Sequence, residues 1–190
     1  MENYSMKHKG TINIETERLL LRRFVIDDAI PMLKNWANDS DVTTYLTWSP
    51  HENVEVSKKV LNMWIDEYKA TDYYNWGIVL KDYGKVIGSI AVVNQSSDYD
   101  RCEVGYCIGK SFWGKGIMTE ALKAVIGFLI NEIGFNRVHA YHHSENKGSG
   151  KVMLKAGMKY EGRLREYVKT SNGVHTDCDM YAIVKNDLVK

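Results

Sequence analysis

The chain has 190 residues, 44% hydrophobic and 26% charged, a composition that excludes fibrous and disordered classes. Its 25 basic residues face 24 acidic ones, so no general positive field draws in nucleic acid, and the longest apolar stretch near the central helical pattern, 124–130, is too short to span a bilayer. A polar start without an apolar signal core, and three cysteines (Cys102, Cys107 and Cys178) without paired spacing, lead to the expectation of a soluble cytoplasmic protein with reduced thiols, no disulfide framework and no metal site.

No repeat or linker divides the chain, so one domain over 1–190 is expected, with 1–13 a flexible or peripheral segment. "RLLLRRF" (18–24) reads as a first strand. Asp27-Asp28 then form the N-cap region of an amphipathic helix carrying Ile30, Leu33 and Trp36, with Pro31 in its first turn. Ser49-Pro50-His51-Glu52 combines a capping-box serine and glutamate with proline at the first helical position. It predicts a helix from there toward Tyr68, with Val54, Leu61, Trp64, Ile65 and Tyr68 facing inward. "NWGIVL" and "KVIGSIAVVN", separated by 81–84, read as a hairpin of buried strands, and "CEVGYCIG" as a third strand.

The next helix opens at Gly116 and carries Met118, Ala121, Leu122, Val125, Leu129 and Ile133 at helical spacing up to Gly134. "RVHAYHH" is another strand, on which the neighbours His142 and His143 point to opposite faces and are poorly placed to share a metal. A short helix over about 149–156 stops at Gly157, and "MKYEGRLREYV" and "DCDMYAIV" flank Asn172-Gly173 as a closing hairpin. The order of elements is a mixed α/β layout.

The stretch "SFWGKGIMTEAL" (111–122) places a glycine-lysine-glycine turn between a strand and a helix. A P-loop reading from Gly109 fails at Gly116, where serine or threonine would ligate magnesium, and a dinucleotide fingerprint fails at Thr119. What remains is a turn whose small residues let an anion reach the unpaired N–H groups of a helix N-terminus. Taken alone, the two glycines equally suit a tight strand-to-helix connection.

The strand 103–108, the turn "GKSFWGKG", the helix "MTEALKAVIGFLI" and then "ENKGSGKVMLKAGM", in that order, resemble the acetyl-CoA signature of the GCN5-related N-acetyltransferases (GNAT). "IETERLLLRRF" and "YEGRLREYV" make the chain most similar to the branch that acetylates ribosomal-protein N-termini, over about 14–187. Ser111 stands where that family usually has arginine or glutamine. The resemblance implies a mixed, mostly antiparallel central sheet flanked by helices, with a C-terminal hairpin. It also implies that N–H groups of Gly114, Lys115, Gly116, Ile117, Met118 and Thr119 bind the CoA pyrophosphate, with Trp113 and Lys115 bordering it. Tyr106, Cys107 and Ile108 would offer strand backbone to pantetheine, and Asn146 would orient the cofactor.

Acetyl transfer needs a neutral amine, a polarised thioester carbonyl and a proton for the leaving thiolate. Glu103, a polar residue in an apolar strand, is the candidate base, acting through a water; it equally suits an ion-paired strand position. An N–H near Cys107 is the candidate oxyanion donor, and Ser149 the candidate acid toward the CoA sulfur. Asn146 and Ser149 also suit plain helix capping. An acetyl-cysteine on Cys107 is conceivable, but no histidine pairs with it recognisably and direct attack is favoured. Glu161 is left outside the catalytic set as a member of an exposed strand. Tyr45, Trp48, Tyr73 and Tyr74 are candidate walls of an acceptor cleft, half of them expected in the core. The expected partners are acetyl-CoA and an amine acceptor, a protein N-terminus before a polyamine or aminoglycoside. No nucleic acid, membrane or metal is expected, and a homodimer is possible. A non-catalytic acyl-CoA-binding module is the alternative of another class.

Overall fold

From Trp76 to Leu80 the chain is without a polar side chain, and a strand of that kind needs cover on both faces. The computed structural model describes residues 6–171 and 173–188 and supplies that cover. Its strands are β1 (Ile14–Glu15), β2 (Leu19–Arg22), β3 (Asn75–Leu80), β4 (Lys85–Ser96), β5 (Arg101–Ile108), β6 (Arg137–His143), β7 (Lys159–Lys169) and β8 (His175–Val184). Its helices are α1 (Ala29–Met32), α2 (Ser40–Thr43), α3 (Val54–Glu67), α4 (Ile117–Gly127), α5 (Lys147–Lys155) and α6 (Lys185–Leu188). Both α1 and α4 run on into wider π-type turns, Leu33–Ala37 and Phe128–Ile133.

The strands form an eight-stranded sheet in the order β1-β2-β3-β4-β5-β6-β8-β7. On one face Trp76, Ile78, Ile87, Ile90 and Val138 pack with Leu122, Val125 and Leu129. On the other, Phe24, Val79 and Val86 pack with Met32, Trp36 and Leu61. The neighbours Ile78/Val79 and Ile87/Val86 thus go to opposite cores, as the two-residue period of a strand demands. The result is the mixed, mostly antiparallel sheet with helices on both sides that the resemblance implies.

Every neighbouring pair is antiparallel except β5 and β6. These two are parallel and pair only at Arg101↔Arg137, Cys102↔Val138 and Glu103↔His139. Since β5 continues to Ile108 and β6 to His143, the strands part beyond Glu103 and His139. A wedge opens there, inside the sheet and beside α4 and α5.

Several local expectations are corrected. The α3 helix begins at Val54, capped by the Asn53 side chain, which accepts the N–H groups of Glu55 (3.0 Å) and Val56 (3.2 Å). The Ser49/Glu52 capping box does not form. The buried His51 donates its N–H to the Ala37 carbonyl (2.7 Å) and sets Nδ1 2.9 Å from Ser57 Oγ, which holds Pro50 and its neighbours in a connection ahead of the helix. Ile30 is exposed while Trp36 is buried, because the passage from a 3-10 turn (Ile26–Asp28) through α1 into a π-type turn shifts the phase of the stripe. The short helix starts earlier than expected, at Lys147, because Asn146 caps it. Of the closing turn, Asn172 lies outside the described residues, and Gly173 has φ +85°.

Within the first thirteen residues, Lys7 N–H bonds to the Ile133 carbonyl (2.9 Å) and Trp76 Nε1–H to the Ile12 carbonyl (2.7 Å), while the buried Thr11 hydroxyl donates to the Tyr73 carbonyl (2.9 Å). Among the described residues no helix is long and apolar enough to cross a membrane, and no group of three or more His, Cys, Asp or Glu side chains is placed to hold a metal.

Candidate functional site

The glycine turn lies at the mouth of the wedge. Gly114 (φ +73°) and Gly116 (φ +74°) both occupy the left-handed region, and Gly116 is the N-cap of α4, where no side chain caps the helix. Helix geometry leaves the N–H groups of Ile117, Met118 and Thr119 without an intrahelical partner; Glu120 N–H is the first to turn back, to the Gly116 carbonyl (3.1 Å). A Cβ added at Gly114 would meet nothing within 4 Å, so that side of the turn is open. Orphan donors, a helix dipole and open space together make an anion seat.

A cleft of about 530 Å³ runs from this seat into the wedge. Of the residues expected to hold cofactor, the cleft brings together Tyr106, Cys107 and Ile108 from β5, and Trp113, Gly114 and Gly116 from the turn. Ile117, Met118 and Thr119 from α4 and Asn146 and Ser149 from the start of α5 complete this set. Lys115 sits between the two glycines but does not line the cleft; its Nζ lies 5.7 Å from the Phe112 ring centre and its carbonyl accepts from Arg18. Asn146 Oδ1 accepts the Ser149 N–H (3.2 Å), so its side chain is engaged as a cap.

The register corrects the placement of the backbone donor. Gly109 N–H bonds to the Ile87 carbonyl, and Ser89 is the partner of Cys107, so alternation turns the Cys107 N–H toward β4. Tyr106 and Ile108 then present their backbone groups to the wedge. The Ile108 carbonyl is taken by Trp113 Nε1–H (2.8 Å), which leaves its N–H and both groups of Tyr106 facing the gap. The Cys107 thiol is half-buried beside Ser89 Oγ (3.3 Å), and burial pushes it up, so it stays a thiol at neutral pH.

The Tyr106 side chain was not foreseen as functional. Its hydroxyl lies 2.9 Å from Ser149 Oγ and also donates to the Ser149 carbonyl (3.2 Å). Burial pushes the Tyr106 phenol up beyond its ordinary range, so it holds its proton and can donate to Ser149. Lys147, Lys151 and Lys155 also line the cleft, and among the described residues Lys151 and Lys155 form no ion pair. Their four-residue spacing in "KGSGKVMLK" was the available signal.

Glu103 does not line this cleft. It is buried at the apex of the wedge, on the face of the sheet that Cys107 shares, with Oε2 3.5 Å from His139 Nε2. His139 Nδ1 is buried without a hydrogen-bond partner. On the same face of β6 follow Tyr141 and His143, and the His143 ring lies tilted against that of Tyr45 (centroids 4.9 Å apart), which lines the cleft. A file of polar and aromatic side chains therefore leads from the apex to the cleft mouth. Tyr141 is pushed up to about 12, by burial first and then by the Glu103 charge, and burial likewise raises Tyr167. Neither phenol is a base at neutral pH.

The other aromatics expected to wall an acceptor site pack elsewhere. Tyr74 is fully buried in the core, Tyr73 stands edge-on to Tyr68 (5.5 Å), and Trp48 lies against His51 (5.5 Å). Glu161 is held in a bidentate pair by Arg137, which keeps its carboxyl below the usual range.

A family model described as an acetyltransferase (GNAT) domain matches residues 18–159. The chain is 30% identical over 172 residues to the uncharacterized N-acetyltransferase YoaA of Bacillus subtilis (strain 168), covering 90% of this chain and 96% of that protein. It is 30% identical over 112 residues to the ribosomal protein uS5-alanine N-acetyltransferase of Escherichia coli (strain K12), covering 57% of this chain and 56% of that protein. Among solved structures, an acetyltransferase (GNAT family) from Bacillus anthracis matches with a TM-score of 0.79 at 26% identity, over 92% of this chain and 99% of that one.

Proposed function

The chain belongs to the GNAT acetyltransferase family, and from that premise we propose that it moves the acetyl group of acetyl-CoA to the N-terminal α-amine of a protein by direct amine attack. The observation that carries this reading is the parting of β5 and β6 just beyond Glu103 and His139, with the anion seat at the mouth of the same wedge. A thioester chain lying in the gap with its phosphates at the seat would direct its acyl end toward the apex, on whose side Glu103 lies. The acceptor class is supported by the uS5-alanine relative and by proton energetics. At pH 7 freeing an α-amine of its proton costs ~1 kcal/mol, against ~4–5 kcal/mol for a lysine.

The residues divide the work as follows. The N–H groups of Ile117, Met118 and Thr119 hold the pyrophosphate, and Lys151 and Lys155 offset the remaining phosphate charge. Backbone groups of Tyr106 and Ile108 pair with pantetheine, and a free N–H on this edge faces the developing oxyanion, a type of donor worth roughly 3 kcal/mol. As the amine nitrogen bonds to the acetyl carbon, Glu103 takes its proton through a water. When the C–S bond breaks, Ser149 gives its proton to the thiolate, the Tyr106 hydroxyl 2.9 Å away hydrogen-bonds to the oxygen left behind, and solvent returns the proton to Ser149 as the products leave. Cys107, kept as a thiol, stays out of the covalent path.

Replacing Ser149 with Ala is expected to lower kcat by about 10²-fold with acetyl-CoA affinity unchanged, and Tyr106→Phe by a smaller factor in the same sense. Equal turnover in both variants and the parent protein, in a stopped assay of thiol release, would remove them from the proton path. The double change Lys151→Ala/Lys155→Ala is expected to weaken CoA about tenfold at low salt, an effect that shrinks as salt rises. A loss independent of ionic strength would contradict the phosphate role.

The proposal as a whole is tested by calorimetric titration with acetyl-CoA, followed by thiol release on addition of a lysine-free peptide with a free N-terminal alanine. Binding with peptide-dependent release supports it. Release with spermidine but not with the peptide moves the acceptor to a small amine, and binding with no release under either condition leaves a sensor.

A further inference from the structure

Two segments far apart in sequence meet at the base of the anion seat. "IETERL" (14–19) contributes Thr16 and Arg18, and the first turn of α4 contributes Glu120. Glu120 Oε1 accepts from the Thr16 hydroxyl (2.6 Å) and the Arg18 backbone N–H (3.0 Å), and Oε2 accepts from Arg18 Nε (2.7 Å), with Arg18 Nη2 also 2.7 Å away. The remaining arm of the guanidinium, Nη1, donates to the Lys115 carbonyl (3.0 Å). Burial works to raise the Glu120 carboxyl, and these hydrogen bonds outweigh it, so the group is held below the usual carboxylate range and stays charged.

We propose that Thr16, Arg18 and Glu120 form a brace that fixes the conformation of the Gly114–Gly116 turn and thereby sets the affinity of the seat for the pyrophosphate of its ligand. The inference rests on the reading of that turn as the CoA phosphate seat. The physical need for a brace lies in the turn itself. With a glycine on each side of Lys115, little steric restraint prevents the adjoining peptide units from rotating, and glycine populates both signs of φ about equally. A rotated peptide would turn a carbonyl oxygen toward the phosphate instead of an N–H. Because C=O and N–H of a trans peptide unit point in opposite directions, holding the Lys115 carbonyl on the Arg18 side directs the Gly116 N–H away from it. The planar fork of Arg18 reaches Glu120 and the turn at once, which the single ammonium of a lysine does not. Thr16 and Arg18 are thus positioning residues, acting through the turn.

The test compares two probes on the intact chain. Acetyl-CoA carries the pyrophosphate, whereas S-acetylpantetheine, titrated directly and as a competitor, carries the thioester without phosphate. In Arg18→Gln the Kd for acetyl-CoA is expected to rise about tenfold or more, the scale of one charge-assisted hydrogen bond, with that for S-acetylpantetheine unchanged. Arg18→Lys, which keeps the charge and the strand, is expected to show the same split with a smaller rise, and Thr16→Val a smaller one still. An unchanged acetyl-CoA Kd in both Arg18 variants overturns the brace while leaving the seat intact. Equal loss of both probes together with a lower melting temperature also overturns it, in favour of a role in folding alone. Failure of the parent protein to bind acetyl-CoA removes the seat, and the brace with it.

Discussion

Exchanging Glu103 for Gln is expected to lower turnover by about 10²–10⁴-fold, the range of a positioned general base, while the affinity for acetyl-CoA stays as it was. The side chain is buried at the apex where β5 and β6 part, outside the lining of the candidate cleft, so its loss does not touch the proposed pyrophosphate seat. Gln keeps the volume and one acceptor oxygen, and removes only the ability to take a proton. Single-turnover acetylation of a peptide, with calorimetry on the same sample, separates the two quantities. A variant that turns over at the parent rate would show that the amine arrives neutral and loses its proton directly to solvent. His139 is the control for geometry: it lies 3.5 Å from the carboxylate on the partner strand, so His139→Gln should disturb turnover less than Glu103→Gln does.

The second large effect concerns stability. Gly109 closes β5 with its N–H on the Ile87 carbonyl, and a Cβ placed there would lie 2.2 Å from the Asn35 carbonyl oxygen and 3.1 Å from its carbon. That oxygen is backbone, in the π-type turn after α1, and the Asn35 side chain is itself tied to the Val86 carbonyl (2.7 Å). Gly109→Ala must therefore push two elements apart, and is expected to cost about 3 kcal/mol, the upper end of overpacking. Gly127, inside α4, meets nothing within 4 Å and has an ordinary helical φ, so Gly127→Ala is expected to be neutral or to stabilise by up to ~1 kcal/mol. Equilibrium denaturation of the two variants decides the matter. Equal midpoints would mean that the Asn35 turn yields easily and that the close approach is not a constraint.

Much of the site was legible because its signals are local. The turn "SFWGKG", the apolar period of α4 and the runs "NWGIVL" and "RVHAYHH" each encode their structure within a few residues, and the strands lie where these runs do. The α3 start was misread for an equally local reason: Ser49 and Glu52 have capping-box spacing, but Asn53 is the residue whose side chain reaches two helix N–H groups. Which of two adjacent caps wins depends on His51, and its bonds to Ala37 and Ser57 belong to the tertiary structure.

The amino-acid sequence by itself pointed to the family, the broad order of elements and the glycine turn, since periodicity, turn chemistry and motif order are properties of short stretches. Tertiary structure decided which groups face each other around that turn and along the wedge. The pairing of Glu103 with His139 and the direction of the Cys107 N–H depend on strand register. The hydroxyl contact of Tyr106 with Ser149 spans 43 positions, and the hold of Arg18 on Glu120 spans 102. Such contacts are fixed by how the sheet and its covering helices pack, and no window along the chain contains both partners.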